Sequence, residues 1–182
     1  MNIDEKLEIF LRAGLGLKND RLQLKPHKTE WLTIAEDEIK RLISAVLPLD
    51  IVFHHIGSTA VPNLSAKPIL DLVGGIDDLS LLDEATTGMQ KQGYTPMGEF
   101  GIEGRCFFKF EHEDTTFVHL HVFQNSNPKI TEHIAFREEL IANPLARKTY
   151  EATKLQLEKT VDRKDYSEAK NEIISRLQAK TL

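Results

Sequence analysis

Two clusters of residue types in this chain could carry chemistry. The first runs from His54 to Asp71 and reads HHIGSTAVPNLSAKPILD. An apolar run ends in Gly57-Ser58-Thr59, a proline-bearing loop follows, and a second apolar run begins at Pro68 with Asp71 near its start. A glycine after a strand lets backbone N–H groups approach an anion closely, because no Cβ intervenes. Ser58 and Thr59 add hydroxyl donors and Lys67 adds a point charge, so this turn can hold a di- or triphosphate. Asp71 can then bind a divalent cation bridging the phosphates. The opposing reading is a plain turn, a solvated Lys67, and an acid paired with Lys67 or Arg105. A short glycine motif is weak by itself, and a carboxylate in an apolar strand needs a partner of some kind.

The second cluster is His119 and His121. Two apart on a strand, they share one face, and His-x-His is a ligand spacing for a transition metal. Asp71, His119 and His121 are therefore a candidate metal-binding or acid–base set, against the alternative of hydrogen-bonded core histidines. His54 and His55 straddle the two faces of an earlier strand. Arg105, behind Gly104, reads as a clamp for phosphate or carboxylate or as a surface arginine. Phe107, Phe108 and Phe110 read as packing residues, one of them able to stack a base. His112 and His133 read as surface residues, and Cys106 has no neighbouring base to make it a nucleophile.

Positioning these groups requires a sheet. Residues 50–56, 68–73, 105–111 and 116–123 have the Ile, Val and Phe content of strands, and 94–97 is short and extended. The run 68–73 is apolar at nearly every position, as suits a strand covered on both faces, and Gly74-Gly75 is expected to end it. Helices are predicted over 29–46, with Leu32, Ala35, Ile39, Leu42 and Val46 inward and Glu36 facing Lys40, and over 79–92, with Leu82, Ala85 and Met89 inward. Residues 129–142, 145–160 and 165–177 continue as helices, broken at Asn143-Pro144. A helix over 1–12, within a flanking segment 1–18, stands ahead of the core, and the helices of 128–182 are expected to pack on the sheet as a solvated face over an apolar stripe. Strands in the middle with helices around them indicate one α/β (α+β) domain, 1–182, with a mixed sheet.

The totals narrow the function. At 182 residues, 41% hydrophobic and 28% charged, the chain has the composition of a globular domain with a real core. A net charge of −5 argues against a nucleic-acid partner while leaving room for a nucleotide in a local pocket. One cysteine rules out a disulfide framework. No apolar run approaches the roughly 18 residues of a membrane span, and the first residues do not read as a secretory signal. A cytoplasmic location is expected.

The stretch HIGSTAVPNLSAKPILDL closely resembles the GrpB family, a small bacterial domain also found fused behind dephospho-coenzyme A kinase. The resemblance continues through GIEGRCFF, HLHVF, HIAFREEL and YSEAKNEII, in order, from about His27 to Leu177. It implies a nucleotidyltransferase-like fold of the polymerase-beta type. In that superfamily a glycine-serine turn holds the triphosphate, and an Asp-x-Asp/Glu pair plus a third acid on a later strand bind two metal ions. Gly57 and Ser58 match the turn and Asp71 the first acid. Val73 stands at the second acid, and His119 or His121 at the third, a trait shared across the family. Members usually carry Glu-His where this chain has His54-His55. One acid and two histidines imply a softer metal than magnesium, such as zinc, manganese or nickel.

The resulting expectation is a protein that binds a nucleotide or another phosphate-containing small molecule and performs metal-dependent nucleotidyl or phosphoryl transfer. Gly57, Ser58, Thr59, Lys67 and Arg105 would hold anionic oxygens. Asp71, His119 and His121 would hold Mg²⁺, Mn²⁺ or Zn²⁺ or supply acid–base chemistry. The alternatives are a non-catalytic module for a nucleotide or coenzyme A-related ligand and a metal-dependent hydrolase.

Overall fold

The computed structural model describes residues 1–162 together with Asp165, Tyr166 and Ala169. In chain order these form α1 (Ile3–Arg12), a two-residue β1 (Leu17–Lys18), α2 (Glu30–Val46), β2 (Val52–Ile56), β3 (Leu70–Ile76), α3 (Leu82–Lys91), β4 (Tyr94–Pro96), β5 (Arg105–His112), β6 (Thr115–Gln124), α4 (Pro128–Ala142) and α5 (Pro144–Thr160). The expected helix over 165–177 lies outside the described residues apart from Asp165, Tyr166 and Ala169. The sheet is mixed, as the sequence predicts, in the order β2-β3-β6-β5-β4, with β1 pairing the start of β6. Only β3 and β6 among the described pairs run parallel. Asn127 and Asn143 cap α4 and α5 through their side chains, with proline at the first helical position of each.

Strand alternation sorts the side chains into two faces. On one, Val118, Leu120 and Val122 of β6 join Leu70 and Leu72 of β3, Phe53 of β2 and Phe108 and Phe110 of β5. Helices α1, α2 and α3 close over them, and the three predicted inward residues of α3, Leu82, Ala85 and Met89, are all buried there. The N-terminal helix is more than a flank, since Leu7 and Phe10 enter the same cluster. Burying such side chains stabilises by roughly 1.5–3 kcal/mol each. On the other face, Ile56, Val73 and Phe123 pack under Ile130 and Ile134 of α4. That helix covers only part of the face. A further cluster of Val61, Leu64, Leu140 and Tyr150 fastens the loop after β2 to α4 and α5.

Three local expectations are corrected. Gly74 and Gly75 lie inside β3 and do not end it. A Cβ at Gly74 would meet the Phe53 ring at 2.8 Å, and one at Gly75 would meet Asn125 Oδ1 at 2.2 Å. The glycines admit close neighbours in a paired strand. Of the predicted inward residues of α2, Ala35, Leu42 and Val46 are buried and Ile39 packs against them, but the stripe also takes in Trp31, Ile34 and Glu38, an acid in the interior. Lys40 pairs with Asp37 at 2.8 Å rather than forming the expected Glu36 pair.

Candidate functional site

Register brings the site together. Parallel pairing sets Asp71 beside His119 and Val73 beside His121, and antiparallel pairing sets Phe107 beside His121. All five therefore share the face that α4 only partly covers. Asp71 Oδ1 accepts a hydrogen bond from His119 Nδ1 at 3.1 Å. Their side chains remain 31% and 27% exposed, so both can still meet a ligand. One partner of Asp71 is thus a histidine, which the sequence reading did not name.

The glycine-serine turn meets this pair directly. Gly57 has φ +70°, ψ −168°, a region that side chains disfavour, and a Cβ there would lie 2.6 Å from Asp71 Oδ2. Only glycine lets the turn lie against the carboxylate. Ser58–Ala60 then form a short 3₁₀ turn. Ser58 Oγ accepts a hydrogen bond from Lys154 Nζ of α5 at 2.8 Å, and the same ammonium donates to the Ser65 carbonyl at 2.5 Å. Lys154 is 2% exposed and lies 5.1 Å from the centre of the Tyr150 ring. Burial pushes the Tyr150 hydroxyl up, opposed by a hydrogen bond from Ser58.

Several expected anion donors are engaged elsewhere. Thr59 is 1% exposed and its hydroxyl donates to the Ile69 carbonyl at 3.3 Å, so His55 Nε2, 3.0 Å away, is the donor to Thr59 Oγ1. That relay anchors the turn. Burial lowers the His55 pKa to about 4, which keeps the ring neutral. Arg105 is no surface arginine but 5% exposed. Its Nε donates to the Glu99 carbonyl at 3.1 Å, one terminal nitrogen to the Phe100 carbonyl at 2.7 Å, and the other meets His121 Nδ1 at 3.1 Å. It also stacks on Phe107. Lys67 stands over the Tyr166 ring at 4.3 Å. Burial lowers the His121 pKa to about 3. His133, expected on the surface, instead faces His121 with ring centres 5.9 Å apart.

The metal expected from Asp71, His119 and His121 does not fit the donor set. Asp71 Oδ1 and His119 Nδ1 bond each other, and His121 Nδ1 faces a guanidinium. With Nδ1 held by Arg105 and the proton on Nε2, His121 has no ring nitrogen to give, and Asp71 and His119 alone fall short of the three protein ligands of a catalytic zinc. Among the described residues, no group of three His, Cys, Asp or Glu side chains is arranged to hold a metal. Val73, at the second acid's place, is fully buried under α4. It is a packing residue of this face, where a carboxylate would be buried among apolar side chains.

The residues the sequence reading missed are Lys154, Tyr150 and Arg137, the last donating to the His55 carbonyl at 2.7 Å. One signal was available. Ala146, Tyr150 and Lys154 recur at intervals of four, which places a lysine on the inner stripe of a helix otherwise read as a solvated face. No local pattern marked its target, a serine 96 positions earlier.

Comparison with known proteins agrees with this geometry. A family model described as GrpB protein matches residues 21–180. YqkA of Bacillus subtilis is 35% identical over 137 residues, and the match spans 75% of this chain but 40% of that protein's length. The glutamate-rich protein GrpB of Alkalihalophilus pseudofirmus is 30% identical over 170 residues, covering 90% of this chain and 97% of that one. The crystal structure of the conserved protein GrpB from Enterococcus faecalis superposes with a TM-score of 0.72 at 30% identity, over 85% of this chain and 98% of that one. More distant likenesses concern the fold alone. The GLD-2/RNP-8 complex gives a TM-score of 0.58 at 12% identity, over 96% of this chain and 65% of that one. Cid1 with its short product ApU gives 0.51 at 9%, over 84% and 45%. The scaffold is the nucleotidyltransferase-like, polymerase-beta type. No helix among the described residues is long and apolar enough to cross a membrane. A glycine-serine turn against a single strand acid, on this scaffold and within a family match over most of the sequence, leads to one assignment: the chain belongs to the GrpB family.

Proposed function

We propose that this protein binds a nucleotide or another phosphate-bearing small molecule at the Gly57–Ser58 turn and transfers a nucleotidyl or phosphoryl group beside Asp71. The observation that carries this reading is the buried Lys154 ammonium on Ser58 Oγ, with the Asp71 carboxylate against Gly57 on the other side of the same turn. A cation and backbone N–H groups there suit phosphate oxygens. Asp71 and His119 supply an oriented acid–base pair within the same face. The fold likeness to Cid1, whose structure holds the product ApU, supports a nucleotide as the ligand class. A net charge of −5 favours a small molecule over a nucleic acid. Magnesium would enter on the ligand's own phosphates, as part of the substrate.

Calorimetric titration with ATP, GTP, CTP, UTP and pyrophosphate, each with and without Mg²⁺, tests the reading. At least one binds the wild type, and Lys154→Met weakens it. Failure of every one of these ligands to bind overturns it. A second reading, a binding module without turnover, draws on buried Val73 at the second acid's place. Stoichiometric binding with no product formed selects it.

A further inference from the structure

Arginine carries only donors. The 3.1 Å contact between Arg105 and His121 Nδ1 therefore makes that ring nitrogen the acceptor and puts the His121 proton on Nε2. Asp71 sets the opposite state on the neighbouring histidine. A carboxylate accepts, so His119 Nδ1 is the donor at 3.1 Å, and Nε2 of the neutral ring holds a lone pair. Phe107 packs against both rings, with centres 5.5 Å from His119 and 5.0 Å from His121, which restrains either from turning over. Two histidines on one face of one strand are thus held in opposite tautomers by two unlike partners. Among the described residues, neither Nε2 has a bonded partner, so both are available to a ligand.

We propose that His119 and His121 act as a polarised pair in which His119 Nε2 takes a proton and His121 Nε2–H donates a hydrogen bond to a phosphate oxygen. This rests on the phosphate-transfer reading above and deepens it, replacing a resident metal by two imidazoles. In the step, the O–H bond of an attacking hydroxyl or water breaks and its proton passes to His119 Nε2. The oxygen's electron pair forms the new O–P bond. The P–O bond to the leaving phosphate or pyrophosphate breaks, and its electron pair departs on that oxygen. Asp71 balances the imidazolium formed on His119, as a carboxylate behind a histidine does in a hydrolytic triad. His121 remains neutral and offers its N–H to charge on the transferring group. Asp71 and Arg105 are positioning residues.

Long-range ¹H–¹⁵N correlation spectra of the labelled chain at neutral pH read the tautomers directly, with His119→Gln and His121→Gln assigning the signals. The expected result is an unprotonated Nε2 in His119 and an unprotonated Nδ1 in His121, with Arg105→Met allowing His121 to populate both forms. Both histidines in the same tautomer, or one equivalent of Zn²⁺ or Mn²⁺ captured by both rings, overturns the proposal. With the nucleotide that binds the wild type, His119→Gln is expected to keep the affinity and lose about a hundredfold or more in turnover. Binding with unchanged turnover in that variant overturns the base role alone and leaves the transfer reading standing. Binding without turnover by the wild type overturns the base role in favour of the binding module, and no nucleotide binding overturns both readings.

Discussion

The two faces of the sheet each bury a lysine, and they treat it differently. Behind the sheet, Lys6 of α1 meets Glu38 Oε1 at 2.5 Å, and Tyr94 and Arg41 donate to the same carboxylate at 2.7 and 2.8 Å. Lys6 also donates to the Gln92 carbonyl and stands 3.8 Å from the centre of the Phe110 ring. Lys6 and Glu38 are 2% and 0% exposed. Burial lowers the Lys6 pKa, and the Glu38 charge opposes that shift. This network ties α1, α2 and β4 together, and only its Arg41 is partly exposed, at 23%. On the site face, Lys154 is as deeply buried, but it sits on a hydroxyl of a turn that leads to a carboxylate and imidazole still partly exposed. One face saturates its polar groups with one another, and the other leaves its acid–base pair within reach of a ligand. Removing a residue behind the sheet should therefore cost stability, and removing one in front should cost binding or chemistry.

The largest effect is expected behind the sheet. Glu38→Gln leaves the Lys6 charge buried without its counter-charge, which costs roughly 3–5 kcal/mol in denaturant unfolding. Lys6→Met together with Glu38→Gln should cost less than Glu38→Gln alone. Strict additivity of the two single changes would show that the pair is not one unit.

Acid comes next. The His55 pKa falls from 6.5 in the open chain to about 4 in the fold, with burial as the main cause. Above pH 6.5 the ring is neutral in both states and contributes no pH dependence. As pH falls from 6.5 to about 4, the unfolded chain takes up a proton that the folded one refuses, so stability declines, by at most about 3 kcal/mol. Below that range the loss levels off. His55→Gln, whose amide can still donate to Thr59, should flatten the profile between those limits, leaving the parts that His27, His54 and His121 contribute.

Gly57→Ala should cost about 1–3 kcal/mol through its disfavoured backbone region, and it also drives a methyl group into Asp71. Its diagnostic is a changed His119 ring signal, because the carboxylate that orients that ring must shift. Lys154→Met should weaken phosphate-ligand binding about ten- to a hundredfold, the usual worth of a charge-assisted hydrogen bond. An equal loss of global stability without loss of binding would place Lys154 with Lys6 as a structural lysine. The smallest effect is expected at Lys40→Ala, which removes an exposed pair with Asp37 and should leave the unfolding midpoint unchanged.

Elements with a strong period were legible in advance. Helix α3 buries the three residues its spacing predicted, and the breaks at Gly93 and Asn143-Pro144 lie where turn chemistry put them. The turn, Asp71 and the two histidines were legible as chemically capable types. Their partners were not. Asp71 pairs with His119 across 48 positions, and the buried acid of α2 pairs with a lysine 32 positions away. A charged residue on an inner stripe signals that a partner exists without saying which, because charge complementarity carries no address in sequence. Gly74-Gly75 misled for a related reason. A glycine that ends a strand and one that admits a neighbouring ring look identical until the ring is placed.

Sequence by itself determined every strand but the two-residue β1, most of the helices, the family resemblance and the residue types that can hold phosphate or move a proton, because these depend on local period and composition. Only the tertiary structure decided which of those residues remain available. Thr59 and Arg105 became anchors, Lys154 became the cation on the turn, and His119 and His121 took opposite tautomers. The physical reason is that a hydrogen-bonding group's role is set by its partner, and here the partners come from parallel pairing of β3 with β6 and from a helix that returns to the turn from far along the chain.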